Sequence, residues 1–388
     1  MSTLKCSNLQ NASAASPAFV LAADGSATAN LSSVNGGPIA GSRNRIINGD
    51  MRIDQRNAGA VMNMTGASYG TCDRWAFDYS LASKFTAQQN AGSVTPPAGF
   101  SNYLGVTSSS AYSVVAGDYF ILRQSLEGFN IADFAFGTAS AKPIALSFWV
   151  RSSLTGTFGG AVNNTGTYSY PISYSITAAN TWEYKTITIP GATAGTWAST
   201  NAGGMTVLFS LGTGSTYTTT ANSWVAGNYA NSTGATSVVG TSGATFYITG
   251  VQLEPGSTAT PFERRSYGQE LSLCQRYYSK SFPAASGFPS APYYDGNMGW
   301  GQSIEAARVS MSIRFPVEMR ATPTVTIYSP TTLTAGTFRV WQAGVDRTGG
   351  AGFISTTGFA SIDKSGAADL GPSSTQNSAV HWIASIEL

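Results

Sequence analysis

Along residues 144–152, IALSFWVRS, the apolar Leu146, Phe148 and Val150 alternate with Ser147, Trp149 and Arg151. A period of two gives an extended strand one face to bury and one to leave open. Segments of this kind recur: TWEYKTITIP at 181–190, GMTVLFSLG at 204–212, ATFYITGVQLEPG at 244–256, ARVSMSIRFP at 307–316, TPTVTIYSP at 322–330, GTFRVWQAG at 336–344 and SAVHWIASIEL at 378–388. Their β-branched and aromatic residues suit a pleated, half-buried surface. Gly-, Thr-, Ser- and Asn-rich stretches at 152–168, 191–204 and 211–244 separate them and carry Trp197, Tyr217, Trp224 and Tyr229. Short strands joined by long loops predict an all-β fold of sandwich or jelly-roll type. No fixed-period repeat runs through the chain, which sets solenoids and propellers aside.

Three parts follow from the pattern. Residues 1–45 are rich in Ser, Ala, Asn and Gly and hold only short apolar pieces, so they are expected to be an extended N-terminal arm that orders on assembly. Within the arm, alternation around Ala18–Leu21 and Thr28–Leu31, split by Asp24-Gly25, permits short strands. Residues 46–265 carry the strands of a jelly roll. Residues 266–388 are expected to hold one short linking helix and a C-terminal β-sandwich. The helix is predicted over 266–280, where Ser266 and Gln269 resemble a capping box and Leu271, Cys274, Tyr277 and Tyr278 fall on one face. In the last strand, Val380, Trp382, Ala384, Ile386 and Leu388 are expected inward, and His381, Ser385 and Glu387 outward.

Scarce residues narrow the chemistry. Only 10% of the chain is charged and the net charge is +2 without any basic run, which argues against nucleic acid or an anionic membrane as the partner. The opening MSTLKCSNLQNASAASP has no charged start, apolar run and cleavage site, so a soluble chain without membrane insertion, folded in a cytoplasm, is expected. Cys6, Cys72 and Cys274 are far apart and odd in number, and are expected as reduced thiols. His381 is the single histidine; it supports no two-His metal cluster, and no GxSxG elbow accompanies it. No cofactor, metal or catalytic residue is therefore assigned. Paired carboxylates remain the one route to an enzyme, since glycoside hydrolysis needs only two; the candidates are Asp118 with Glu127, Asp295 with Glu305, and Glu318 with Asp346.

Binding has more to stand on. Flat aromatic faces pack on sugar C–H surfaces while short polar side chains fix hydroxyls. The tract PSAPYYDGNMGWGQS at 289–303 offers Tyr293, Tyr294, Asp295, Asn297 and Trp300, and FRVWQAGVDRTGG at 338–350 adds Trp341, Asp346 and Arg347. Of these, Tyr293, Tyr294, Asp295, Asn297, Trp300, Trp341 and Arg347 are the expected receptor or glycan contacts.

Four segments, RNRIINGDMRIDQRNAGA (43–60), CDRWAFD (72–78), YITGVQLEPGSTATPFERRSYGQELSLCQRYY (247–278) and RFPVEMRATPTVT (314–326), resemble tail-fibre and receptor-binding proteins of tailed bacteriophages. Residues 46–265 are also similar to jelly-roll carbohydrate-binding modules. Where those modules often carry a calcium-holding Glu, this chain has Arg52; Asp50 or Glu254 could serve instead, but calcium needs six or more oxygens and no calcium is assigned. The resemblance implies a homotrimeric virion protein, assembled in the host cytoplasm, whose residues 1–45 dock on a phage tail or baseplate and whose outer domain meets a host surface glycan or protein receptor. The alternatives are a structural virion protein such as a head fibre, decoration protein or baseplate adaptor, and a capsular polysaccharide depolymerase.

Overall fold

The computed structural model describes residues 43–66, 69–295, 298–305, 308–364 and 376–388, with the side chains of Ile304, Glu305 and Lys364 excepted, and the pairing of three short strands nearer the N-terminus. Those strands, Asn8–Leu9, Phe19–Leu21 and Ala27–Ala29, form an antiparallel meander in which Val20 faces Thr28 across the predicted turn. Among the described residues the fold is all-β apart from one nine-residue α-helix and short 3-10 turns.

Twelve of the strands between Met62 and Pro255 build two six-stranded sheets, and Thr218–Thr219 pairs with Asn231–Ser232 apart from them. The first runs Val225–Ala226, Tyr168–Ile176, Gly156–Asn163, Gly203–Thr213, Tyr119–Glu127 and Ala76–Tyr79. The second runs Glu183–Ile189, Ile144–Ser152, Thr245–Pro255, Leu104–Ser108, Phe85–Gln89 and Met62–Asn63. All neighbouring pairs are antiparallel, and the chain crosses repeatedly between the sheets as in a jelly roll. The inner faces supply the core predicted by the alternation: Leu146, Phe148 and Val150 are fully buried. Rings meet across the two layers, with Phe148 centred 5.0 Å from Phe209 and Phe158 stacked on Phe246. Such ring pairs add to the area they bury.

The C-terminal strands form one eight-stranded sheet. Its order is Tyr278–Lys280, Asn377–Ser385, Gly299–Glu305, Arg308–Arg314, Gly358–Lys364, Val345–Gly352 and Thr337–Val340, and Thr324–Tyr328 pairs with Asn377–Ser385 off this path. Thr337–Val340 also returns to Asn377–Ser385, with Arg339 opposite Ala379. The pairing thus returns to Asn377–Ser385, so the two layers of this smaller sandwich share one continuous sheet, with Tyr278–Lys280 and Thr324–Tyr328 as edge strands on that strand.

The helix spans Tyr267–Gln275, and the Ser266 hydroxyl accepts the backbone N–H of Gln269 as the sequence predicts. It is shorter than expected. Tyr278 already begins the edge strand Tyr278–Lys280, paired with Ser385, so Tyr277 and Tyr278 leave the helix for the sheet. Around this helix the motif segments converge in a buried polar junction. Glu127 takes two hydrogen bonds from Arg276 (2.8 and 2.9 Å) and one from the Tyr277 hydroxyl (2.5 Å). Burial opposes ionisation of Glu127, but these donors outweigh it and hold its carboxyl below the usual range. Glu270 accepts the Asn48 backbone N–H at 2.5 Å and pairs with Arg265 at 3.2 Å. Arg74, fully buried, lies 3.4 Å from the centre of the Tyr277 ring and pairs with Glu387, which also receives Arg56 at 2.9 Å. Asp73 accepts from Gln55 at 2.5 Å, and burial raises it to about 6 despite Arg56 nearby. The αL conformation of Asn48 (φ 56°) aims Gly49 at the Val251 carbonyl, where an added Cβ would come within 2.2 Å. The glycine of that NG pair is thus required by close approach of two backbones.

Two expectations for the last strand are corrected. His381 is fully buried, not outward. The segment leading from Phe282 to Tyr293 crosses the outer face of the strand, so the side that alternation leaves open is covered. Phe282 stacks on the imidazole at 4.4 Å, the Nε2 side faces the Tyr293 carbonyl at 3.0 Å, and Nδ1 lies 2.9 Å from the Ser281 hydroxyl. A carbonyl can only accept, so Nε2 carries the proton and Nδ1 accepts from Ser281. Glu387, too, points into the junction and not into solvent. Burial lowers the His381 pKa from 6.5. Its share of stability is therefore present above the unfolded value and lost as pH falls through the folded one. His381→Gln keeps a donor and an acceptor without the titration. The wild-type protein is expected to lose melting temperature below pH 6.5 more steeply than this variant, and parallel curves would contradict the assignment.

Candidate functional site

The surface most suited to stacking a ligand lies on the outer face of the C-terminal sheet. Trp300 stands opposite Ala379, which stands opposite Arg339, so the three share one row and one face. Ala379 is fully buried although it faces outward, since the large side chains on either side cover it. Trp341 follows Arg339 by two residues, and its ring stacks near-parallel on Trp300 (6.0 Å, 19°). Tyr294 adds a third ring 5.9 Å from Trp341. Trp300 is 52% and Tyr294 54% exposed, a large apolar area to leave in water beside a well-filled core. Arg339 sits 5.7 Å from the Trp341 ring centre and pairs with Asp346 at 3.3 Å. Asp346 also accepts from Thr331 and Thr332, and these bonds outweigh its burial and lower its pKa. Around the rings lie amides: Gln302 bonds Asn377 at 3.4 Å, and Gln342 accepts the Asn377 backbone N–H at 2.8 Å. Stacked rings bordered by neutral donors and acceptors are a platform for a sugar ring.

Tyr294, Trp300 and Trp341 come together here. Tyr293 does not join them; its ring turns inward against Phe282 and His381, and its hydroxyl meets Asp295 at 3.3 Å. Arg347 lies opposite Phe338, on the face of its strand away from Asp346 and Arg339. Asn297 lies outside the described residues. Arg339, Gln302, Asn377 and Gln342 were missed, because which of two outward rows gains a neighbour depends on register between strands far apart in sequence. The loop rings of the first sandwich are packed instead: Trp224 stacks on Tyr168 at 5.6 Å and meets Trp197 edge-on.

A second concave surface crosses the outer face of the first sheet. Two adjoining hollows of about 480 and 430 Å³ share Asp78, Leu208 and Asn228. Tyr119 and Tyr217 contact edge-on at one end (5.4 Å), Arg123 holds Asp78 at 2.5 Å in the middle, and Asn163 and Thr206 add neutral polar groups.

The carboxylate pairs fall into separate surroundings. Asp118 precedes the strand that Glu127 ends, so the two stand roughly 30 Å apart at ~3.3 Å per residue, against the ~5–9.5 Å of glycosidases. Asp118 accepts from Ser80 and Tyr112, Glu318 from Thr356, and Asp346 from its own threonines. The side chain of Glu305 lies outside the described ones. Asp50 is occupied by Arg52 at 2.6 Å and Glu254 by Gln252 and Thr260. Among the described residues no group of three His, Cys, Asp or Glu side chains could hold a metal ion. Cys72 and Cys274 are buried free thiols. No helix among the described residues is long and apolar enough to cross a membrane.

No known family and no curated protein matches the sequence. Solved structures to which the chain is similar include the enzymatically active domain of tailspike protein 4 from bacteriophage CBA120, at 13% identity over 53% of this chain and 22% of that one, with a TM-score of 0.29. Another is TmCBM61 in complex with β-1,4-galactotriose, at 12% identity, 55% of this chain, 99% of that one and a TM-score of 0.28. A family 11 carbohydrate-binding module from Clostridium thermocellum in complex with a mixed-linked tetrasaccharide shows 14% identity, 51% and 97% coverage and a TM-score of 0.25. At such scores the likeness says nothing about what this chain binds.

Proposed function

We propose that the chain is a phage tail fibre protein that binds a glycan of the host surface through the Trp300–Trp341 platform. The observation that carries this reading is the pair of stacked indoles, Trp300 half-exposed and Trp341 partly buried, bordered by neutral amides. The motif segments that resemble phage receptor-binding proteins supply the setting: residues 1–45 attach to tail or baseplate, and three copies associate. Trimerisation multiplies a weak sugar contact, because linked sites see millimolar effective concentrations. The action is adhesion without turnover. Arg276 and Tyr277 engage Glu127, and Thr331, Thr332 and Arg339 engage Asp346, so these carboxylates serve packing.

The test is binding of the purified full chain to intact bacteria and to their extracted surface polysaccharide, with new reducing ends assayed in the same tubes. Saturable binding without cleavage is expected. Cleavage would move the function to a depolymerase, and absence of binding by a folded oligomer would leave a structural part of the particle.

A further inference from the structure

On the far side of the first sandwich, the outer face of the second sheet carries a groove of about 460 Å³ that neither surface above touches. A β-bulge makes it. The pairing of Thr245–Pro255 with Ile144–Ser152 slips between Thr249 and Gln252, and Gly250 there has φ +63°. A Cβ on Gly250 would come within 2.7 Å of the Phe100 ring and 3.2 Å of Trp149, so the hollow exists because this residue has no side chain. Trp149 and Tyr184, on paired strands, form one wall with ring centres 5.3 Å apart, and Tyr184 is 43% exposed. Phe100 and Phe262 form the other, edge-on at 5.2 Å.

Arg264 lies over both phenyl rings, its guanidinium 4.7 Å from Phe100 and 5.6 Å from Phe262. It is exposed and makes no ion pair or hydrogen bond with the described residues. Stacking on the phenyl rings restrains the plane of the guanidinium while its N–H donors stay free, the arrangement that takes a carboxylate through two parallel bonds. In the junction, by contrast, Arg56 and Arg74, which also lie over rings, share the Glu387 carboxylate.

We infer that this groove is a second carbohydrate site, specific for an acidic sugar, in which Trp149 and Tyr184 stack the ring and Arg264 receives its carboxylate. Charge complementarity selects the occupant: an apolar aromatic wall suits the C–H face of any hexose, and the Arg264 guanidinium, without an ion pair among the described residues, adds the requirement for an anion. The site is separate from the Trp300–Trp341 platform, and the failure of either leaves the other standing.

The experiment measures calorimetric binding of trigalacturonate and of its methyl ester, which keeps the rings and removes the charge, to the full chain. The wild-type protein is expected to bind the acid at least about tenfold more tightly than the ester, the scale of a charge-assisted pair. Arg264→Gln, at an exposed position, is expected to erase that preference, and Arg264→Lys to restore only part of it. Tyr184→Ala is expected to weaken both ligands, and the double variant Trp300→Ala, Trp341→Ala to leave acid binding intact. The inference is overturned if the wild-type protein fails to bind the acid at millimolar concentration or does not distinguish acid from ester. It is equally overturned if Arg264→Gln leaves the preference unchanged, or if the platform variant abolishes acid binding.

Discussion

Replacing Glu387 by alanine is expected to destabilise the protein by about 3–5 kcal/mol, the cost of stripping the counter-charge from buried cations. Two guanidinium groups depend on this carboxylate. Arg74 is wholly enclosed and Arg56 is 11% exposed at its side chain, and neither can turn to water without opening the junction. Arg74 would keep the Ser125 carbonyl at 2.6 Å and the face of Tyr277, which satisfy geometry but not charge. Arg56 would keep Asp73 at 3.8 Å and the Tyr278 and Tyr69 rings. Glu387→Gln retains acceptor oxygen and shape, so a smaller loss is expected. Urea unfolding of both variants measures the difference. A loss under about 1 kcal/mol for the alanine variant would show a solvated pair instead of a buried one.

The second large effect is on binding. Trp300→Ala with Trp341→Ala is expected to reduce glycan affinity by roughly 30-fold or more, the scale of a binding hot spot. Stability is expected to change little by comparison, since Trp300 already has half its surface in water and the core beneath is closed by Val380, Phe338 and Val340. The change uncovers Ala379 and removes the ring beside Arg339, both minor terms beside the ligand contact. Equal binding by variant and wild-type protein would remove the platform from the account. A drop in melting temperature comparable to that of the Glu387 variant would make the two indoles part of the fold.

What could be read in advance follows from what a period of two encodes. Alternation placed Leu146, Phe148 and Val150 in the core and Trp149 outside it, and the Ser266 cap located the start of the helix. It failed at His381, because alternation tells which residues share a face and not whether a distant loop covers that face. Tyr293 and Arg347, read from polar loop tracts and not from alternation, lie beside platform residues in sequence but turn to the other side. Tyr294, Trp300 and Trp341 were legible as rings in polar tracts, while Arg339 and the amides depend on the closing pair of Arg339 with Ala379, a register spanning forty positions. The motif-dense segments proved to be structural: 43–60, 72–78 and 265–278 meet in the buried network of Glu127, Glu270 and Glu387. Such a network is costly to break once made, which gives those residues a physical reason independent of any receptor.

The most direct test of the central claim is an array of bacterial surface polysaccharides probed in parallel with the full chain and with the variant lacking both Trp300 and Trp341 indoles. The account predicts saturable binding of the wild-type protein to at least one polysaccharide, without release of reducing ends, and loss of that binding in the variant. Retention of the signal by the variant, or silence of the wild-type protein across the array, would contradict it.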